Sequence, residues 1–144
     1  MKRKATAVWK GTGKDGTGSL SSPSDFFSNT PYSAKSRFEN EDGKAGTNPE
    51  ELIAAAHAGC FNMALSFQLA GEGHTPEELN TVATVTLEKQ GEGFAITEIH
   101  LELNGKVPGI EKDEFEKLAQ VAKENCPVSK ALSAVPISLN VTFS

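Results

Sequence analysis

Two cysteines, Cys60 and Cys126, and three histidines, His57, His74 and His100, are the side chains in this sequence best suited to chemistry near neutral pH. The cysteines stand 66 positions apart, so they form neither a C-x-x-C redox motif nor a zinc knuckle. Two readings of them stay open. Free cysteine packs as a small hydrophobe, and both thiols can be inert core residues. Alternatively the fold brings them together, one to attack and one to resolve. Thiol chemistry runs through the thiolate, and a thiol of pKa ~8.5 is only a few per cent ionised near neutrality. Burial pushes that pKa higher. A reactive Cys60 therefore requires a cation, and lowering its pKa by two units takes ~2.7 kcal/mol. His57 lies one helical turn earlier, at i, i+3, although a lone histidine on an apolar helix is more often a satisfied core residue. An Arg or Lys from a loop is the other source. Cys126 precedes Pro127 at a helix break, where free backbone N–H groups favour a thiolate.

Each thiol needs an element to place it. Asn48-Pro49-Glu50-Glu51 opens a helix with an N-cap, a proline at the first position and a capping pattern completed by Glu51. The helix runs to Gly71, read as its left-handed C-cap, and is apolar on almost every side. Such a helix belongs inside a core or an interface. Cys60 falls near its middle, about two and a half turns in. A second, amphipathic helix runs from about Glu111, with Phe115, Leu118, Ala119 and Ala122 on one face. Pro127 disfavours a helical Cys126 and starts a new turn through Leu132.

The remaining segments alternate as strands: Ala5 to Lys10, Tyr32 to Phe38, Asn80 to Gln90, Phe94 to Leu103 and Ile137 to Phe143. A change of phase near Thr97-Glu98 predicts a bulge. Thr75-Pro76-Glu77-Glu78 is a candidate short turn of helix. Gly11-Thr12-Gly13-Lys14-Asp15-Gly16 matches the G-x-G-x-x-G dinucleotide fingerprint in form, but no helix follows it. A hairpin with Gly16 supplying a positive φ is the preferred reading. The pattern predicts an α+β domain over 1–144, its sheet covering two helices.

Composition narrows the function. The 144 residues suit one domain, and 38% apolar with 23% charged content is that of a soluble globular protein. A net charge of −5 lacks the footprint of a nucleic-acid binder. The run from Leu52 to Ala70 is long enough for a membrane span, but His57, Asn62, Ser66 and Gln68 interrupt it. No apolar run follows Lys2-Arg3-Lys4, so no signal peptide is expected and the chain reads as cytoplasmic.

Gly46-Thr47-Asn48-Pro49-Glu50-Glu51-Leu52, then Ala55-Ala56-His57-Ala58-Gly59-Cys60-Phe61, then Asn125-Cys126-Pro127-Val128-Ser129, together resemble the OsmC/Ohr family of hydroperoxide-reducing proteins. Ser36-Arg37-Phe38-Glu39 and Phe94-Ala95-Ile96-Thr97 resemble its OsmC branch (osmotically inducible protein C). The resemblance covers nearly the whole chain. It implies an intertwined homodimer, with antiparallel sheets covering a long buried central helix and active sites at the subunit interface. It implies a metal-free, cysteine-based peroxidase for organic hydroperoxides and hydrogen peroxide, with no bound cofactor. Cys60 would be the peroxidatic thiol and Cys126 the resolving one. Arg37 would hold the Cys60 thiolate, and Glu50 would orient Arg37. The organic-hydroperoxide branch takes its arginine from the first hairpin, where this chain has Lys14. An external dithiol, lipoyl or thioredoxin-like, would restore the enzyme.

Helix geometry constrains that assignment. Ten residues of straight helix separate Glu50 from Cys60 by ~15 Å, so if Glu50 belongs in the site it should reach Cys60 of the other subunit. On its own it also reads as a first-turn carboxylate favoured by the helix dipole. Phe27, Phe38 and Phe61 are candidates to line an apolar peroxide pocket. Two rivals are a cysteine–histidine hydrolase or transferase, using Cys60 with one of the three histidines, and a non-enzymatic stress-related binding module. The hydrolase needs no Cys126, and the module keeps both thiols buried and inert.

Overall fold

Six strands and four helices account for most of residues 1–144, all of which are described by a computed structural model. Contacts divide them into two compact units, Met1–Leu52 and Ile53–Ser144.

In the first unit, β1 (Thr6–Lys10) pairs antiparallel with β2 (Thr17–Ser21), which pairs antiparallel with β3 (Thr30–Ser33). Gly18 sits opposite Trp9, and the rings of Trp9 and Tyr32 occupy the space that a Cβ there would need. The glycine-rich segment closes the β1–β2 hairpin and leads into a strand, so the dinucleotide fingerprint is excluded. Its positive φ belongs to Gly11 (+97°) rather than to Gly16. Gly16 is required for a different reason, because a Cβ would run into the Thr12 carbonyl oxygen.

The expected strand Tyr32 to Phe38 is instead the end of β3 followed by a short helix, α1 (Ala34–Phe38). Its cause is a capping box. The Ser33 hydroxyl accepts from the Ser36 N–H at 3.1 Å, and the Ser36 hydroxyl accepts from the Ser33 N–H at 2.9 Å. Local serine hydrogen bonds thus override alternation. Helix α2 (Pro49–Gly71) starts as expected, with Asn48 Oδ1 accepting from the Glu51 N–H at 2.8 Å.

In the second unit, α2 buries His57, Phe61, Leu65 and Leu69, four residues spaced by four along one stripe. The expectation of a helix buried all round therefore does not hold for one chain: Met63 and Phe67 are 64% and 73% exposed. The helix is long and apolar enough to span a membrane by length and composition, but its stripe packs into a protein core. It ends through Gly73 rather than Gly71; Gly73 has φ +83°, and the next N–H, that of His74, bonds the Leu69 carbonyl at 2.9 Å.

No helical turn forms at Thr75–Glu78, because Glu78 begins β4 (Glu78–Gln90) and pairs with Lys106 of β5 (Gly93–Lys106). These antiparallel strands turn through Gly91-Glu92. The register slips where expected: Thr86 faces Glu98 and Leu87 faces Ile96, so Thr97 is the extra residue. Helix α3 (Lys112–Asn125), the short α4 (Pro127–Ala131) and β6 (Ile137–Phe143) complete the unit. Three of the four strand pairings are antiparallel as expected; the fourth, β5 with β6, is parallel. A parallel neighbour requires a long crossover, and α3 and α4 supply it. Phe61, Leu65 and Leu69 of α2, Ile99, Leu101 and Leu103 of β5, and Phe115, Ala119 and Ala122 of α3 form the core. Each buried Phe or Leu contributes ~1.5–3 kcal/mol, which holds α2 against the α3 side of the sheet.

Candidate active site

Cys126 is fully buried at the junction of two helices, capping both the end of α3 and the start of α4. Pro127 excludes the helical region for the residue before it, and Cys126 accordingly has φ −56° and ψ 122°. This bend turns its side chain toward α2. The Cys126 and Cys60 sulfurs are hydrogen-bonded 2.9 Å apart, both as free thiols. Cys60 keeps partial exposure. Of the pair, only Cys60 can be reached by an incoming molecule.

The surroundings treat the two sulfurs differently. Burial pushes the Cys60 thiol up, and the adjoining Cys126 adds to the rise, against a smaller opposing effect of the Val128 N–H. Burial also raises Cys126, but hydrogen bonds from Cys60, from the backbone and hydroxyl of Ser129, and from the Val128 N–H outweigh it. Cys126 therefore lies below its ordinary value. Within this unit the proton favours Cys60, so a nucleophilic Cys60 needs positive charge from elsewhere, as its burial led one to expect.

Arg37 and Glu50 form a second pair, in the first unit. Arg37 donates from Nη2 to Glu50 Oε1 at 2.6 Å and from Nε to the two carboxylate oxygens at 3.2 and 3.3 Å. Its guanidinium also sits 5.1 Å from the Phe38 ring centroid. Glu50 occupies the first turn of α2, where a carboxylate gains from the helix dipole. Arg37 is one-third exposed and Glu50 one-eighth. Exposed ion pairs add little stability, so what this bidentate contact secures is the direction of the guanidinium. A cavity of about 230 Å³ opens beside it, lined by Trp9, Tyr32, Arg37, Phe38 and Pro49 among others. Of the three aromatic pocket candidates, only Phe38 lines it. Phe61 is in the core, and Phe27 packs edge-on against Phe26 at 4.9 Å.

The histidines do not serve Cys60. His57 is fully buried, with Nε2 2.7 Å from Ser129 Oγ and Nδ1 without a hydrogen-bond partner. Desolvation lowers its pKa, so it is neutral at pH 7. His74 meets Glu114, and His100 lies between Ser138 and Glu102 on the sheet surface. A cysteine–histidine hydrolase thus loses its base. The structure bears out the core reading of His57, but the sequence does not name Ser129 as its partner. The available signal was symmetry of spacing, His57 three before one cysteine and Ser129 three after the other.

Comparison with known proteins places the chain in a family. Residues 41–140 match the family described as OsmC-like protein. Peroxiredoxin OsmC of Escherichia coli is 48% identical over 132 residues, spanning 92% of this chain and 90% of that protein. Organic hydroperoxide resistance protein-like 1 of Staphylococcus saprophyticus is 36% identical over 102 residues, 69% of this chain and 72% of its own. The crystal structure of the organic hydroperoxide resistance protein OhrB of Bacillus subtilis superposes with a TM-score of 0.73 at 25% identity, covering 96% of this chain and 98% of that one. Matching sequence over most of its length and matching fold over nearly all of it, the chain belongs to the OsmC-like protein family.

Proposed function

We propose that this protein is a cysteine-based peroxidase that reduces hydroperoxides with Cys60 as the attacking thiol and Cys126 as the resolving one. The observation that carries the reading is the 2.9 Å approach of two sulfurs 66 residues apart, one partly exposed and one buried. The Cys60 thiolate attacks the terminal peroxide oxygen, the O–O bond breaks, and the alkoxide leaves as alcohol after taking a proton. Cys60 becomes a sulfenic acid. Cys126 then attacks the Cys60 sulfur, displacing the hydroxyl as water and closing a disulfide that protects Cys60 from irreversible oxidation. An external dithiol, lipoyl or thioredoxin-like, returns both thiols.

Arg37 stabilises the thiolate and orients the peroxide, and Glu50 holds Arg37. In this reading the Arg37–Glu50 pair of one subunit serves Cys60 of the other, in a homodimer whose residues 1–144 act as one domain. Exposed Met63 and Phe67 support this assembly, since a contiguous apolar face on a water-soluble chain marks an interaction site. The cavity beside Arg37 suits the organic substituent of the peroxide. A cytoplasmic setting, where thiols stay reduced, fits two free cysteines.

Intact mass after one equivalent of cumene hydroperoxide tests the reading. Wild type loses two hydrogens, Cys126→Ser gains one oxygen, and Cys60→Ser stays unchanged. Full peroxidase activity in Cys60→Ser would refute it.

A further inference from the structure

His57 and Ser129 are the buried polar groups nearest the thiols that the two-cysteine chemistry leaves without a task. Each sits on an element that carries one of the cysteines. His57 is one turn before Cys60 on α2, and Ser129 follows Cys126 by three in α4, whose Lys130 N–H bonds the Cys126 carbonyl at 3.0 Å. His57 is fully buried and Ser129 only 5% exposed, and their side chains meet at 2.7 Å. Such placement costs desolvation that core packing alone does not repay.

The direction of the hydrogen bonds follows from what is missing. His57 Nδ1 faces no partner, and an orphaned buried N–H is rarer than an orphaned acceptor. The ring proton therefore belongs on Nε2, which donates to Ser129 Oγ. That leaves the single Ser129 hydroxyl proton free to point toward Cys126, three residues earlier at the start of α4 and held below its ordinary pKa with Ser129 among the causes. Donors then line up from His57 through Ser129 to Cys126.

We propose that His57 and Ser129 are positioning residues for the resolving step, a buried donor chain that aims Cys126 and supports negative charge on its sulfur as it attacks Cys60. In that step the Cys126 S–H bond breaks, the Cys126–Cys60 S–S bond forms, and the Cys60 S–O bond breaks. The oxygen leaves as water, carrying the Cys126 proton. Cys126 is oxidised, Cys60 sulfenic acid is reduced to the disulfide level, and no further reactant is consumed. Ser129 stabilises the charge that develops while proton and electron pair part, and neutral His57 keeps the hydroxyl turned toward sulfur. The first step, peroxide reduction at Cys60, makes no use of either residue.

This inference rests on Cys126 being the resolving thiol, and the two can fail separately. Rapid-quench mass spectrometry after one equivalent of cumene hydroperoxide follows sulfenic acid, disulfide and, with excess peroxide, sulfinic acid. Ser129→Ala is expected to form sulfenic acid at the wild-type rate, close the disulfide about tenfold more slowly, the effect of losing one charge-assisted hydrogen bond, and accumulate more sulfinic acid. His57→Leu should behave like it, whereas His57→Gln, which keeps an N–H donor, should stay near wild type. Should Ser129→Ala not fold, the contrast between His57→Leu and His57→Gln decides. The proposal is overturned if disulfide closure is unchanged in Ser129→Ala, if both steps slow equally, or if Leu and Gln at position 57 are indistinguishable. Wild-type closure in Cys126→Ser would instead sink the resolving role itself.

Discussion

Arg37 and Glu50 meet edge to edge, Nη2 and Nε of the guanidinium on one carboxylate, with the shortest contact 2.6 Å. Lys cannot reproduce that fork. If the pair's task is to present positive charge to a thiolate, then Arg37→Lys should lower the second-order rate with cumene hydroperoxide at pH 7 by about 10- to 100-fold, the equivalent of one to two pKa units at Cys60. Glu50→Gln should cost less, since the guanidinium is loosened but not lost. Iodoacetamide alkylation of Cys60 against pH reads the same effect without peroxide and should shift to higher pH in both variants.

Phe67 is 73% exposed on a helix whose opposite stripe is buried. Glu at this position leaves the core of one chain untouched, so Phe67→Glu should fold normally by circular dichroism. It should run as a monomer by light scattering and lose peroxidase activity by more than about tenfold, because a charge buried in an apolar interface is costly. A variant that is monomeric yet fully active would show that the pair of sites does not need two chains.

His57 is held neutral by burial, its pKa lowered from 6.5. Unfolding exposes it, and the unfolded chain then binds a proton that the folded chain refuses. Stability rises with pH wherever the unfolded state binds more protons, so this contribution is present above about pH 6.5 and is lost as pH falls toward the lower folded value. Urea unfolding at pH 7.5 and 5.5 should show a fall in stability on acidification that is smaller in His57→Gln. An equal fall in both proteins would mean that His57 titrates the same folded and unfolded.

Gly105 lies on β5 where the Phe115 ring of α3 fills the space of a would-be Cβ. Gly105→Ala should therefore overpack the core and cost about 1–3 kcal/mol, seen as a lower urea midpoint. Because this contact seats α3, whose end carries Cys126, the variant should also slow disulfide closure.

Local rules made some of this structure legible in the amino-acid order. Asn48-Pro49 starts α2, Pro127 bends Cys126 out of the helix, and the phase change at Thr97 is a bulge, since each depends on groups within a few residues. Local chemistry also misled where it was read at too coarse a scale. The Ser33–Ser36 capping box turned an apparent strand into α1, and Gly11 and Gly73 took the left-handed roles assigned to Gly16 and Gly71.

The cysteine and arginine motifs were visible from their resemblance to a family, but their meeting was not a property of spacing. Across a separation of 66 positions, a parallel β6 and a core of α2, β5 and α3 side chains bring Cys126 to Cys60. The same packing joins His57 to Ser129, 72 positions away, and leaves Met63 and Phe67 outside. The amino-acid order determined which side chains carry thiol, imidazole and guanidinium groups and where helices begin. Which of them touch was decided by the tertiary structure alone, because contacts between distant segments depend on how whole faces pack and not on any short-range preference.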